Sequence, residues 1–213
     1  MKKYIARHER KFINIFKNDF KRFKKPVILE FGVSVHALST SIFLKECEKK
    51  NGKLYSVDVI DYSYHFKSKK WKFIKSRDDN FRFINKNIPK RFDVIYLDTI
   101  HKAEHVKKMF YHYYDKLKVN GLFVIDDTSM LPYLSSREKN NFSLEVNNHE
   151  TFQILLEILN SNHTNFHLEF SFIGTGAAKI TKLNNRKLKI NHKLNDRKSS
   201  LKNILRKIYL YFR

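Results

Sequence analysis

Apolar residues recur along this chain with two rhythms, one of about 3.6 residues and one continuous or alternating, and the switches between them mark out the elements. Tyr4, Ile5, Phe12, Ile13, Ile15, Phe16, Phe20 and Phe23 sit among charged residues at helical spacing, so a helix is expected over 4–23, ending before Pro26. Pro26-Val27-Ile28-Leu29-Glu30-Phe31-Gly32 is an apolar run closing on an acid and a glycine, the pattern of a buried strand and a turn. A helix over Ser39–Lys50, a turn at Asn51-Gly52 and a strand over Lys53–Val59 follow. After a stretch read as polar helix come a weak strand at Trp71–Lys75, a short helix at Asp79–Asn87 and a clear strand at Arg91–Asp98. Lys102–Leu117 has helical spacing, and Asn120-Gly121 is expected to turn the chain into a strand at Leu122–Asp127. Thr128–Asn148 reads as a long loop, Glu150–Leu159 as a helix, and Phe166–Phe172 with Ala177–Thr181, on either side of Gly174-Thr175-Gly176, as an antiparallel hairpin.

Strands alternating with helices argue for an α/β fold with a doubly wound, mostly parallel sheet and right-handed crossovers. Three parts are expected: a basic N-terminal helix packing on the domain (1–25), the α/β domain (26–181), and a basic linker with an amphipathic helix (182–213). The hydrophobic fraction, 42% with 15% aromatic, excludes wholesale disorder. Cys47, the one cysteine, has Lys45, Glu46, Glu48 and Lys49 around it and reads as helix surface, so neither a disulfide nor a zinc site is expected. With no signal-like apolar run near Met1 and no stretch of about eighteen apolar residues, the expected location is the cytoplasm.

The formal charge of +22 is concentrated at the ends. Residues 1–26 hold ten Lys/Arg against Glu9 and Asp19, residues 181–213 hold eleven against Asp196, and the body between is only +4. Such ends favour polyanions, either nucleic acid or an anionic membrane face, or they are solvated helix surface. In the last segment Leu201, Ile204, Leu205, Ile208, Tyr211 and Phe212 form an apolar stripe beside Lys202, Arg206, Lys207 and Arg213. That basic amphipathic helix suits peripheral attachment at the inner membrane face, or docking on its own domain or a second subunit.

In an open α/β sheet, ligands sit beyond the carboxyl ends of the strands. Acids fall at four of those ends: Glu30, Asp58, Asp98 and the pair Asp126/Asp127. Asp58 is placed to bond both hydroxyls of a ribose, and Gly32 permits close backbone approach by a cofactor. Asp98 and Asp126/Asp127 end strands expected to be neighbours, so three carboxylates could converge on a hard divalent cation such as magnesium, which favours oxygen ligands. The plain alternative is that strand ends carry polar turn residues, with Asp126 and Asp127 capping the next loop.

Leu29-Glu30-Phe31-Gly32-Val33 with Ser39-Thr40, then Leu54-Tyr55-Ser56-Val57-Asp58, resembles the cofactor half of class I S-adenosylmethionine-dependent methyltransferases. Leu97-Asp98-Thr99-Ile100-His101-Lys102-Ala103-Glu104-His105-Val106 and Asn120-Gly121-Leu122-Phe123-Val124-Ile125-Asp126-Asp127-Thr128 are similar to two motifs of the metal-dependent small-molecule and sugar O-methyltransferases. The resemblance covers residues 25–180 and implies a seven-stranded sheet whose last strand is antiparallel. It also implies that Glu30, Gly32 and Ser39 line the methionine part of the cofactor, that Asp58 holds the ribose and that Asp78 approaches the adenine. Asp98, Asp126 and Asp127 would bind magnesium, and His101 would serve as general base. Two departures stand out: Ile100 where sugar-specific relatives carry an acid, and a cofactor loop, Val33–Leu38, one residue longer with His36 in place of the second glycine. The expected activity is methyl transfer from S-adenosylmethionine to a hydroxyl of a small molecule or glycan, with residues 128–148 covering the acceptor. The rivals are a nucleic-acid methyltransferase, against which the +4 body counts, and a non-catalytic binding protein on the same fold.

Overall fold

Strands with apolar side chains on both faces need cover on both faces, and this sheet has it. The structure, a computed structural model, describes residues 12–13, 15–16, 18–129, 142–173, 175–194 and 201–212. β1 (Val27–Phe31), β2 (Lys53–Asp58), β3 (Trp71–Lys75), β4 (Phe92–Leu97), β5 (Leu117–Asp126), β6 (Phe166–Ser171) and β7 (Ala177–Lys182) form one seven-stranded sheet. Its order is β3-β2-β1-β4-β5-β7-β6. The first five strands pair in parallel, and β7 runs antiparallel to both neighbours, as expected.

The helices are α1 (Leu38–Lys49), α2 (Phe81–Asn87), α3 (Ala103–Tyr114), α4 (Phe142–Asn162) and α5 (Leu201–Tyr211). On one face of the sheet, Phe43, Leu44 and Cys47 of α1 pack with Phe12, Phe16 and Phe20 over Ile28, Leu54, Val94 and Val124. On the other, Ile84 of α2, Val106, Met109, Phe110 and Tyr113 of α3 and Leu155 and Ile158 of α4 cover Leu29, Phe31, Ile95, Leu97 and Phe123. Cys47 is buried in this core, not on the helix surface, and burial pushes its thiol up to about 12.

Several local expectations need correcting. The segment 59–70 holds turns and no helix. Asp61 Oδ1 accepts both the amide and the hydroxyl of Ser63, and Ser68 Oγ accepts the Lys70 amide, so side chains take over the amides that a helix would use. Asn120-Gly121 does not precede β5 but lies inside it: Asn120 takes a left-handed φ of 63°, and the register against β4 slips between Phe92 and Val94. A bulge absorbs the residue that looked like a turn, and α3 stops at Tyr114. Helix α4 begins at Phe142, well before Glu150, which shortens the long loop. The heart of that loop, 130–141, and residues 4–11, 14 and 17 of the expected first helix lie outside the described residues.

Beneath the carboxyl edge of the sheet lies a buried polar chain. Register pairs Glu30 with Ser56 on one side and Tyr96 on the other. Glu30 is fully buried; Ser39 Oγ donates to its Oε1 and Ser56 Oγ to its Oε2, each at 2.6 Å, and Trp71 Nε1 donates to Ser56 Oγ at 3.0 Å. One carboxylate thereby ties together β1, β2, β3 and the first turn of α1. Burial pushes Glu30 up from 4.5 to about 7, against the opposing pull of the Ser39, Ser56 and Thr40 hydroxyls, with the Asp58 charge adding to the rise.

A raised folded pKa means that the folded chain keeps a proton the unfolded chain has released, so this stabilisation is complete below about pH 4.5 and is lost as pH rises through 7. The stability difference between wild type and Glu30→Gln should fall by about 2.5 kcal/mol between pH 5 and pH 8. Urea unfolding of both proteins across that range measures it; parallel pH curves would refute the assignment.

Candidate active site

Paired positions in a parallel sheet point to the same face, so the register sets the site. Phe31 is level with Val57 on β2 and Leu97 on β4, and Leu97 with Ile125 on β5. The next position on each strand therefore forms a row along the rim: Asp58, Gly32, Asp98 and Asp126. Gly32 N donates to Val57 O and Asp98 N to Phe31 O, both at 2.9 Å, which carries the sheet pairing up to the row.

Gly32 is the gap in that row. Its φ is +92°, and a Cβ there would lie 1.9 Å from the Asp98 carbonyl oxygen. The space in front of it is a cavity of about 360 Å³ lined by Gly32, Asp58, Val59, Ser76, Arg77, Asp78, Asp98, Thr99 and Ile100. Of the residues expected to hold the cofactor, Gly32, Asp58 and Asp78 line this cavity. Glu30 and Ser39 do not: their hydrogen bond to each other lies in the buried tier below.

Asp58 shapes the loop after β1. Its Oδ2 accepts the Val33 amide at 2.8 Å and the Ser34 amide at 3.5 Å, and its Oδ1 accepts the Ile60 amide at 2.9 Å. A carboxylate has about four acceptor positions, so capacity remains for a ligand hydroxyl. Asp78 is nearly buried; Thr99 Oγ1 donates to its Oδ2 at 2.5 Å and His105 Nε2 at 2.7 Å. Burial alone would raise Asp78, but these two donors outweigh it and hold the carboxyl below its usual range. Arg77 is clamped in turn by Asp79, with Nε to Oδ1 at 3.0 Å and Nη2 to Oδ2 at 3.2 Å.

The other acids gather around two donors. Tyr96, two residues before Asp98 and thus on the same face, sends its hydroxyl up to the rim, 2.8 Å from Asp126 Oδ2 and 3.3 Å from Asp98 Oδ2. Its ring is buried edge-on against Phe12 and Phe43, and burial followed by the charges of Asp126 and Asp98 drives its pKa well up. His101 Nε2 lies 3.6 Å from Asp98 Oδ1 and 3.4 Å from Asp127 Oδ2. Asp127 takes a left-handed φ of 54°, with its amide on Asp126 Oδ1. Asp98, Asp126, Asp127 and His101 are thus neighbours, as expected. The open ring of three carboxylates is not what the structure holds: Tyr96 and His101 stand between them, and no group of three or more His, Cys, Asp or Glu among the described residues is placed to hold a metal ion.

The sequence reading missed Tyr96, Thr99, His105 and Arg77. Only Tyr96 had a usable signal, the two-residue period that puts it on the face of Asp98. His105 meets Asp78 through a pairing 27 residues apart.

Residues 29–128 match a family described as a methyltransferase domain. No curated protein matches the chain. Among solved structures, MycE methyltransferase from the mycinamycin biosynthetic pathway, in complex with Mg, SAH and mycinamycin VI, superposes with a TM-score of 0.59 at 18% identity, over 85% of this chain and 50% of that one. The SAH-bound Podospora anserina methyltransferase PaMTH1 gives 0.57 at 14% identity, over 80% and 76%. A candidate caffeoyl-CoA O-methyltransferase from Staphylococcus aureus gives 0.58 at 16% identity, over 82% of each chain. The chain spans half the length of MycE. The chain has the α/β fold of these methyltransferases, and its likeness to the methyltransferase-domain family extends over residues 29–128.

Proposed function

We propose that this protein is an S-adenosylmethionine-dependent O-methyltransferase acting on a hydroxyl of a small molecule or glycan, with magnesium assistance. The observation that carries the reading is the cavity at the rim between Asp58 and Asp98, lined by the bare backbone of Gly32. Asp58 would hold a ribose hydroxyl with its remaining acceptor position, Asp78 would face the adenine, and the bare Gly32 backbone would let the methionine end approach. The SAH carried by MycE and PaMTH1, which share this fold, supports the donor, and the Mg carried by MycE supports the metal.

The chemistry of the donors, oxygen only, is what a hard cation takes, although Asp98, Asp126 and Asp127 are turned here toward Tyr96 and His101 and would have to turn toward one another to share an ion. They would hold magnesium, which when bound supplies acidification of the acceptor hydroxyl. His101, half-buried between Asp98 and Asp127, would take the proton that this hydroxyl releases on methylation. Tyr96 fixes Asp98 and Asp126 from below.

Calorimetric titration with S-adenosylmethionine should show binding to the wild type. Asp58→Asn, which keeps an acceptor for the loop amides but loses the charge, should weaken it about tenfold or more. Gly32→Ala should abolish binding, with circular dichroism checking that the fold survives. Absence of wild-type binding with and without magnesium would replace the enzyme reading with that of a non-catalytic binding protein.

Magnesium titrated into the protein saturated with S-adenosylhomocysteine should bind, and Asp126→Asn should weaken that binding at least about tenfold while leaving donor affinity within about twofold. Equal magnesium affinity in wild type and variant would remove the metal from the reading.

A further inference from the structure

No helix among the described residues is long and apolar enough to cross a membrane. Helix α5 nevertheless presents to solvent a stripe that a folded chain normally buries. Leu201, Ile204, Leu205 and Ile208 recur at offsets of three and four residues and lie 78%, 48%, 60% and 50% exposed, whereas the core residues of α1 and α3 are nearly inaccessible. Lys202 and Arg206 lie beside the stripe, and the helix has no acidic residue.

We infer that α5 is an in-plane anchor for an anionic lipid bilayer. Eleven residues of helix rise only about 17 Å, too short to span the hydrocarbon core, so the helix would lie along the interface. In that pose Leu201, Ile204, Leu205 and Ile208 enter the acyl boundary, while Lys202 and Arg206 stay with the headgroups.

Charge chooses this occupant over the others. Residues 181–213 carry eleven Lys/Arg against Asp196 alone, so two such tails packed face to face would crowd like charges together. A nucleic acid would neutralise the cations but leave the branched aliphatic stripe in water. An anionic membrane satisfies both faces at once: each Lys or Arg near such a surface adds about 1 kcal/mol, and each buried methylene nearly as much. The inference is independent of methyl transfer and stands whether or not the cavity binds a donor.

Flotation of the full chain with vesicles tests it. Vesicles of phosphatidylcholine mixed with phosphatidylglycerol should carry the protein at least about tenfold more tightly than phosphatidylcholine alone. Ile208→Glu should abolish flotation without unfolding the domain, because that side chain is half exposed. Lys202→Gln and Arg206→Gln should each weaken it about fivefold, the ratio that corresponds to 1 kcal/mol. Failure to float with anionic vesicles overturns the anchor, as does flotation that Ile208→Glu leaves intact. So does a dimer by light scattering that Ile208→Glu dissociates while the wild type ignores vesicles. Binding of single-stranded RNA by wild type and Ile208→Glu alike, without flotation, would assign the basic tail to nucleic acid instead.

Discussion

A side chain at position 32 would have nowhere to go, because the Asp98 carbonyl oxygen lies 1.9 Å from where its Cβ would stand. This close approach holds the ends of β1 and β4 together at the point where the winding of the sheet reverses. From β1 the chain builds outward through β2 to β3, then crosses back to β4 and builds the other way. Connections leave such a point in opposite directions, so a crevice opens beyond the strand ends there. The cavity is therefore a product of topology, and the absence of a side chain at Gly32 lets β1 and β4 close up beside it.

Two polar tiers sit at that place, and they serve different ends. In the lower tier Ser56, Glu30 and Tyr96 share one level of the sheet; Glu30 is sealed there and spends both oxygens on the Ser39 and Ser56 hydroxyls. In the upper tier Asp58, Asp98 and Asp126 meet solvent and would repel one another without donors between them. Tyr96 connects the tiers, with its ring in the aromatic packing of Phe12, Phe16 and Phe43 and its hydroxyl on Asp98 and Asp126. Packing on the covered face thus sets the positions of carboxylates on the open rim.

The strands, their order of appearance and the rim acids were legible because each rests on a short-range rule: apolar runs, turn residues and an acid at a strand end. What was not legible depended on pairings. Asn120-Gly121 has turn composition, but Leu117 pairs with Phe92 before it and Leu122 with Val94 after it, so the sheet continues through and bends. Cys47 looked exposed among its charged neighbours, yet helical spacing turns it toward the sheet together with Phe43 and Leu44. Glu30 reads as a cofactor ligand through the family resemblance, with its place near a strand end pointing the same way. Its depth follows from α1 folding over it, which one strand's sequence does not contain. Thr99 and His105 gain their roles only through Asp78, more than twenty residues away.

The cofactor loop shows how one deviation from the expected pattern is absorbed. Ser34 and Ala37 both take left-handed backbone, at φ 60° and 43°, where a glycine would sit without cost. Each non-glycine residue there costs about 1–2 kcal/mol. The shape is held from two sides. Asp58 accepts the Val33 and Ser34 amides, and Val33 and Ala37 are buried with Tyr62, which the turn at Asp61 and Ser63 brings over them. A connection with no further duty could relax to ordinary dihedrals; this one is over-determined by a charged residue of the next strand. The Asp58 carboxylate helps to hold this left-handed geometry, so the group proposed to bind a ribose also builds the loop beside it.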